Sequence, residues 1–600
     1  MGYISRKSIR GIARCHLQWT ENRKIKSKYV KQGELEPLKK RIEERRALMK
    51  ELKELGDAAP ETPPVLEAWE TDVITGTGLL AMTKAVRGWG KRDCYSQLTD
   101  YLYGGESDRV CLMFGLRWTG KTTMLRQALG EMADADAKRS AYIKATVTDT
   151  TAMLSRDLKK LYAAGYRYIF IDEVTLIRDF IDSAALLSDV YAAQRMKLVL
   201  SGADSLGFWF AQQQELYDRA EILHTTFIPY REHSRLLGID SIDEYIRYGG
   251  TLRAGGWDVG EADVNVEGAS FRDDESTRRY IDSAICHNIQ HSLLCCEDGG
   301  HFRHLRSLYE AGELTGAINR IIEDMHHSFL LSVLTRDFVS HDLGLTARNL
   351  RMDRDPARRT DVLDQIDTDA VTKRLMEILD IRSREEQAIG VTAAHIAEIK
   401  EYLEALELIV DCPIETAQPD AEPIEHVLFT QPGMRHCQAQ ALVYSLMRDQ
   451  LFSALSEHEK NAASERILEE VRGRMMEDIV LLETMKATGR QRRVFKLQFA
   501  AGEYDMVIYD AAKNTCRAYE IKHSAQVTAE QTRHLTDPEK LRQTERRFGT
   551  VEERCILYRG TELQTEDGIV YRNVEHYLKS LPDMAMGQDM TASDFQMKME

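Results

Sequence analysis

Six hundred residues suffice for about three to five domains at roughly 100 to 200 residues each. With 43% apolar and 29% charged residues, and no apolar run of 18 residues, the chain is neither a disordered polymer nor a collagen, and it has no membrane-spanning helix. Arg6, Lys7, Arg10 and Arg14 interrupt every apolar stretch near the start, and the ten cysteines include no CxxC pair. A signal peptide, a zinc site and a disulfide framework are therefore not expected, and the reading is a cytoplasmic protein with no membrane partner.

The net charge of −16 is unevenly spread: residues 1–56 hold 16 Lys or Arg against 7 Asp or Glu. A basic arm on an acidic body suits contact with a polyanion such as DNA, and equally suits a solvated helical face. Leu35, Leu38, Ile42, Met49 and Leu52 recur at helical spacing, so residues 1–75 read as a basic helical arm and linker. The linker is marked by Pro60, Pro63 and Pro64, which fix the backbone and push the preceding residue out of helix.

Next come apolar runs at Val110–Phe114, Tyr168–Ile171 and Lys197–Leu200, alternating with helical patterns. Continuously apolar strands bury both faces, which predicts a parallel sheet layered by helices over residues 76–235. Residues 236–345 read as a helical lid. Over residues 346–440 the order helix, helix, hairpin suggests a winged-helix segment, with strands near Leu408–Cys412 and His426–Thr430. Its second helix, Thr392–Leu408, carries Lys400 against Glu398, Glu401, Glu404 and Glu407. Phosphates would be repelled there, so a structural or protein-contact role is expected.

Gly115-Leu116-Arg117-Trp118-Thr119-Gly120-Lys121-Thr122 satisfies GxxxxGK[ST], with Thr123 following, after one strand and before the helical run Met124–Met132. Glycines let the backbone curl so that its N–H groups face phosphate oxygens at a helix N-terminus. ATP is the expected ligand, with Lys121 on the β and γ phosphates and the Thr122 hydroxyl on Mg²⁺. The strand Tyr168–Ile171 ends in Asp172-Glu173: Asp172 is assigned to the metal and Glu173 to the general base, which makes the chain an ATPase.

Taken with Ser201-Gly202-Ala203-Asp204-Ser205, Tyr217-Asp218-Arg219, Phe227-Ile228-Pro229-Tyr230-Arg231-Glu232, Glu244–Gly250 and Phe429-Thr430-Gln431-Pro432-Gly433, the chain resembles prokaryotic AAA-type P-loop ATPases with a C-terminal restriction-endonuclease-like, PD-(D/E)xK domain. The resemblance covers about residues 76–582. It implies that Ser201 or Asp204 senses the γ-phosphate and that Arg219 acts as an arginine finger, which carries with it a homo-oligomer. Asp218 stands where that family has Gly, and an arginine between Asp218 and Glu221 also suits a surface ion pair.

Glu503–Tyr509 and Cys516–Lys522 alternate as strands of a hairpin within residues 460–585, ahead of a tail at 586–600. Period two puts Glu520 and Lys522 on one face, where Asp505 of the adjoining strand can meet them. Two carboxylates gather Mg²⁺ or Mn²⁺ and a lysine orients the nucleophile, which is nuclease chemistry. Glu477, on a helix expected over residues 464–487, fits the further acid of the PD-(D/E)xK pattern. The fold class is thus α/β throughout: a P-loop ATPase, a helical lid, a winged-helix segment and a nuclease-like domain. The expected function is an ATPase whose nucleotide state controls a metal-dependent nuclease-like domain, in defence against foreign DNA or in mobile-element biology. The alternative is a non-nucleolytic switch that engages a protein or nucleic-acid partner.

Overall fold

The computed structural model describes residues 3–9, 12–21 and 24–30 and, with breaks, residues 68–583; the longer breaks are 253–270, 334–390 and 418–425. Two compact units divide at Trp69 and Glu70. In the first, β1 (Tyr3–Ile9), β2 (Ile12–Glu21) and β3 (Lys24–Val30) form an antiparallel sheet in chain order. This corrects the helical reading for residues 3–30: Ile, Val, Trp and Thr favour a pleated strand, and in β3 Lys24, Lys26 and Lys28 fall at alternate positions. The helix expected over residues 35–52 and the proline linker lie outside the described residues.

The second unit opens with β4 (Asp72–Ile74) and the helices α1 (Thr77–Lys84) and α2 (Tyr95–Tyr103). Then follow β5 (Val110–Phe114), α3 (Lys121–Glu131), β6 (Ser140–Lys144), α4 (Thr151–Ala163), β7 (Tyr168–Asp172), β8 (Lys197–Gly202) and β9 (Ala220–His224). The sheet order is β4-β6-β7-β8-β5-β9, parallel except for the β4 edge. Every residue of β5 is buried, and Leu98, Cys111, Met113, Met124, Leu125, Phe170 and Val199 pack together between sheet and helices. Because β8 lies between β5 and β7, its C-terminal end stands between the phosphate loop and Asp172.

Helices follow: α5 (Tyr230–Leu237), α6 (Ile242–Tyr248), α7 (Asp274–Ile281), α8 (His287–Cys295), α9 (Arg303–Glu310) and α10 (Leu314–Ser332). Then α11 (Ala393–Ala405) leads to an antiparallel pair, β10 (Ile409–Cys412) with β12 (His426–Phe429). The acidic α11 is spent on a neighbour, since Glu398 accepts hydrogen bonds from the first amides of α9, His304 and Leu305.

Between those two strands, β11 (Ile414–Thr416) crosses to a second sheet and pairs parallel with β13 (Arg493–Gln498). After α12 (Pro432–Met447) and the 32-residue α13 (Glu457–Thr488), the second sheet continues through β14 (Glu503–Asp510), β15 (Thr515–Lys522), β16 (Thr550–Tyr558), β17 (Leu563–Gln564) and β18 (Val570–Asn573). Helix α14 (Pro538–Phe548) precedes β16, and α15 (Val574–Ser580) ends the described chain.

The described residues from Glu70 onward form one compact unit: Phe495, Leu497, Val507 and Tyr571 belong to a core inside the second sheet, and another apolar core runs from Phe227 and Tyr230 through α12 and α13 to Leu578. Polar contacts reinforce it. Asp243 on α6 pairs with His523 (2.7 Å) and Arg559 (2.8 Å), so His523, next after β15, ties that strand to the lid. The Tyr230 amide that opens α5 donates to Glu483 of α13 at 2.6 Å.

Glu483 is 1% exposed, and burial pushes its carboxyl up to about 8. A carboxyl raised above its unfolded value favours folding while protonated, so its contribution is full below about pH 4 and is lost as the pH rises through about 8. Glu483→Gln keeps the acceptor without the charge. Its stability relative to the parent in urea unfolding should therefore rise by on the order of 3 kcal/mol between pH 5 and pH 8; a constant difference would place the charge elsewhere.

Candidate functional site

The phosphate loop springs from the buried end of β5. Gly115 has φ 150°, and a Cβ there would stand 2.3 Å from the Thr225 carbonyl oxygen, so only glycine fits. Thr225 anchors the loop from β9, its hydroxyl 2.9 Å from that of Thr119 and donating to Phe114 at 3.1 Å. Trp118 also takes a left-handed backbone, with its ring 5.2 Å from Tyr280 of α7. At the start of α3, buried Lys121 donates through Nζ to the carbonyls of Gly115 and Leu116, both at 2.8 Å. Burial lowers its ammonium to about 8, against the opposing pull of Glu173 and Asp172.

Asp172 sits where β7 ends. Its Oδ2 accepts from Thr122 (3.0 Å), Tyr142 (2.7 Å) and Lys144 (2.9 Å), and its Oδ1 from Ser201 (2.5 Å). Burial opposes its ionisation, but Lys144 and the Ser201 and Tyr142 hydroxyls outweigh that and hold the carboxyl below its ordinary value. Glu173 follows in a left-handed backbone, with Oε2 3.4 Å from the Ala203 amide at the end of β8. Thr122 and Thr123 stand half-buried in the first turn of α3, and of the two it is Thr122 that meets Asp172.

The two sensor candidates separate. Ser201 touches Asp172, whereas buried Asp204 accepts from the Gly207 amide at 3.1 Å and closes a turn. Arg219 pairs with Asp189 at 2.7 Å and is half exposed. It precedes β9 opposite Val110, at the end of the sheet away from the phosphate loop, about 15 Å along the strand direction. Within one chain it cannot reach the loop, so a finger role requires a second copy.

Sequence reading missed Arg92. Its guanidinium, 4% exposed, donates to the Thr119 carbonyl of the loop, to the Phe227 carbonyl at 3.3 Å and to Glu232 of α5 at 2.6 Å. Tyr142 and Lys144 were missed as well. Arg92 carries no motif, and the other two reach Asp172 only because β6 lies beside β7.

The second group of carboxylates lies on α13, β14 and β15. The β14–β15 register sets Met506 opposite Tyr519, which brings Asp505 against Glu520. One oxygen each from Glu477, Glu503 and Asp505 lie within 4.8 Å of one another, close enough to hold a metal ion. Asp505 Oδ2 accepts from the Ile521 amide (2.7 Å) and from Lys522 (3.3 Å). Glu520, opposite Asp505, is outside that trio: its Oε2 is 2.8 Å from Lys522 Nζ, and its buried Oε1 has no hydrogen-bond partner among the described residues. Burial and the nearby Asp505 push its carboxyl well above the usual range. Sequence reading also missed Glu503, Arg474 and Lys496. Arg474 reaches Glu477 (2.5 Å) and Glu503 (3.3 Å), and the buried Lys496 lies 3.3 Å from Glu477.

Residues 107–233 match the family model of the AAA domain. The chain carries an AAA-type P-loop ATPase domain. That family implies a nucleotide with Mg²⁺, and the glycine-shaped loop, the buried lysine and the Thr122–Asp172 contact fit both. No curated protein matches the chain. Among solved structures it is similar to the S. cerevisiae Hsp104–ADP complex, at 13% identity and a TM-score of 0.22, over 70% of this chain and 59% of that one. It is also similar to the Aeropyrum pernix ORC1 protein in complex with DNA, at 12% identity and a TM-score of 0.21, over 61% of this chain and 94% of that one. The chain thus spans about three fifths of the length of Hsp104, and likeness at these scores says nothing about activity or partners.

Proposed function

We propose that the chain hydrolyses ATP and that its nucleotide state controls a metal-dependent nuclease-like site formed by Glu477, Asp505, Glu520 and Lys522, with Glu503 as a further ligand. The observation that carries this is α13, which bears Glu477 at one site and, through Glu483, caps α5, whose Glu232 holds the Arg92 bound to the phosphate loop. Mg²⁺, when bound between the loop and Asp172, neutralises phosphate charge. Glu173 is the base that takes the proton of the attacking water, Lys121 and the loop amides hold the phosphates, and Ser201 keeps Asp172 oriented.

At the second site a divalent ion would polarise a phosphodiester, with Asp505 fixed by the Ile521 amide and Lys522 placed to orient the nucleophile. The winged-helix reading of residues 346–440 belongs to the same proposal, supported by the order α11, β10, β12. Control of nucleic-acid cleavage in this form suits defence against foreign DNA. One observation favours a second reading, a non-nucleolytic switch: Arg474 and Lys496 already neutralise Glu477 and Glu503. Incubating the full chain and ATP with DNA and Mn²⁺ separates the two. Cleavage supports the nuclease, and intact DNA leaves the switch.

A further inference from the structure

A cavity of about 410 Å³ opens beside the second carboxylate group, walled by α10, α11, β11, β12 and the strand end that carries Glu503. That volume lies within the range of sites that enclose small ligands. Its lining divides by chemistry. Met325, Ile396 and Val427 give it an apolar wall, while Lys400, Arg474 and Lys496 face Asp324 and Glu503 among its charged groups, Arg435 being paired with the buried Asp478.

The cationic wall is shared with the carboxylates. Arg474 and Lys496 contact both Glu477 and Glu503, and each also lines the cavity. With Lys522 beside Asp505, three cations face the three carboxylates and balance them. A divalent ion held by Glu477, Glu503 and Asp505 would add two positive charges to a half-buried cluster, and an anion entering the cavity would restore the balance. The anion must fit an apolar wall on its other side.

We infer that this cavity binds a nucleotide unit, its phosphate on Arg474 and Lys496 and its base against Ile396 and Met325, and that divalent metal at the carboxylates strengthens that binding. The inference rests on the metal-site reading above and adds to it the substrate class and the pocket. A nucleotide unit can come from the 5′ end of a strand or as a free monophosphate, and the two probes below separate these sources.

The full chain carrying Lys121→Ala, which weakens nucleotide binding at the phosphate loop, is titrated by calorimetry with Mn²⁺ alone, with 5′-phosphorylated thymidine dinucleotide and with thymidine monophosphate. At least one probe should bind tenfold or more tightly with Mn²⁺ than without. A tighter dinucleotide assigns the pocket to strand ends, and equal binding assigns it to free nucleotides. Ile396→Trp fills the apolar wall at a position 38% exposed, so it should weaken the probes at least tenfold and leave Mn²⁺ binding as it was; Lys400→Glu should weaken them as well. Mn²⁺ binding with neither probe bound, or probe binding untouched by both substitutions, overturns the pocket and spares the metal site. Failure of Mn²⁺ to bind overturns the metal site and the coupling with it.

Discussion

Glu173→Gln should leave ATP bound but lower the hydrolysis rate at least a hundredfold, the usual contribution of a positioned general base. The side chain stands half-buried after the last residue of β7, and its neighbour Asp172 is engaged by four donors. Asp172 is thus held as an acceptor, which leaves Glu173 as the carboxylate able to take a proton. Amide for carboxylate preserves the contact with the Ala203 amide and removes the base. Lys121→Ala should act differently, weakening ATP binding itself, because the buried ammonium, held on the Gly115 and Leu116 carbonyls, is the cation placed to meet the phosphates. Equilibrium binding of a fluorescent ATP analogue beside phosphate release distinguishes the two. A Glu173→Gln chain that turns over ATP at the parent's rate would refute the assignment of the base.

The phosphate loop and the Asp172-Glu173 pair were legible because each is contiguous: their chemistry is written in neighbouring residues and placed by a strand that buries both faces. What surrounds them was not. Tyr142 and Lys144 reach Asp172 from the adjacent strand, and Arg92 enters from 23 residues before Gly115. At the second site, period two joined Asp505, Glu520 and Lys522 correctly on paper, and the same rule puts Glu503 on the face of Asp505, a signal present in the strand and left unread. Lys496 is a different matter. The β13–β14 register shifts between Phe495 and Leu497, so alternation alone misassigns the direction of a lysine at the irregularity. The helical reading of the first thirty residues failed because charge pattern was weighed before the β-branched and aromatic content. Nor could a local pattern reveal that β11 leaves its hairpin to join the far sheet.

Asp505→Ala should abolish divalent-metal binding at the second site and any cleavage with it. Among the carboxylates Asp505 is the one fixed by the backbone, through the Ile521 amide at 2.7 Å, and it links the other two members of the trio that can hold an ion to the Glu520–Lys522 pair. Removing it leaves Glu477 and Glu503 each paired with Arg474 and Lys496, and two neutralised carboxylates are a poor site for a cation that needs several oxygen ligands. Lys522→Ala should spare the metal and slow the chemistry. ATP hydrolysis is expected to continue in the Asp505→Ala chain, since Asp505 touches no residue of the phosphate loop. Because the helices that follow β9 share an apolar core with the second sheet, the maximal rate and the ATP concentration at half rate should be compared with the parent. Calorimetric Mn²⁺ titration and a labelled DNA panel complete the measurement: unchanged metal binding in Asp505→Ala would move the ion elsewhere, and a parent that neither binds Mn²⁺ nor cleaves would leave the carboxylates as a neutralised clamp between β14, β15 and α13.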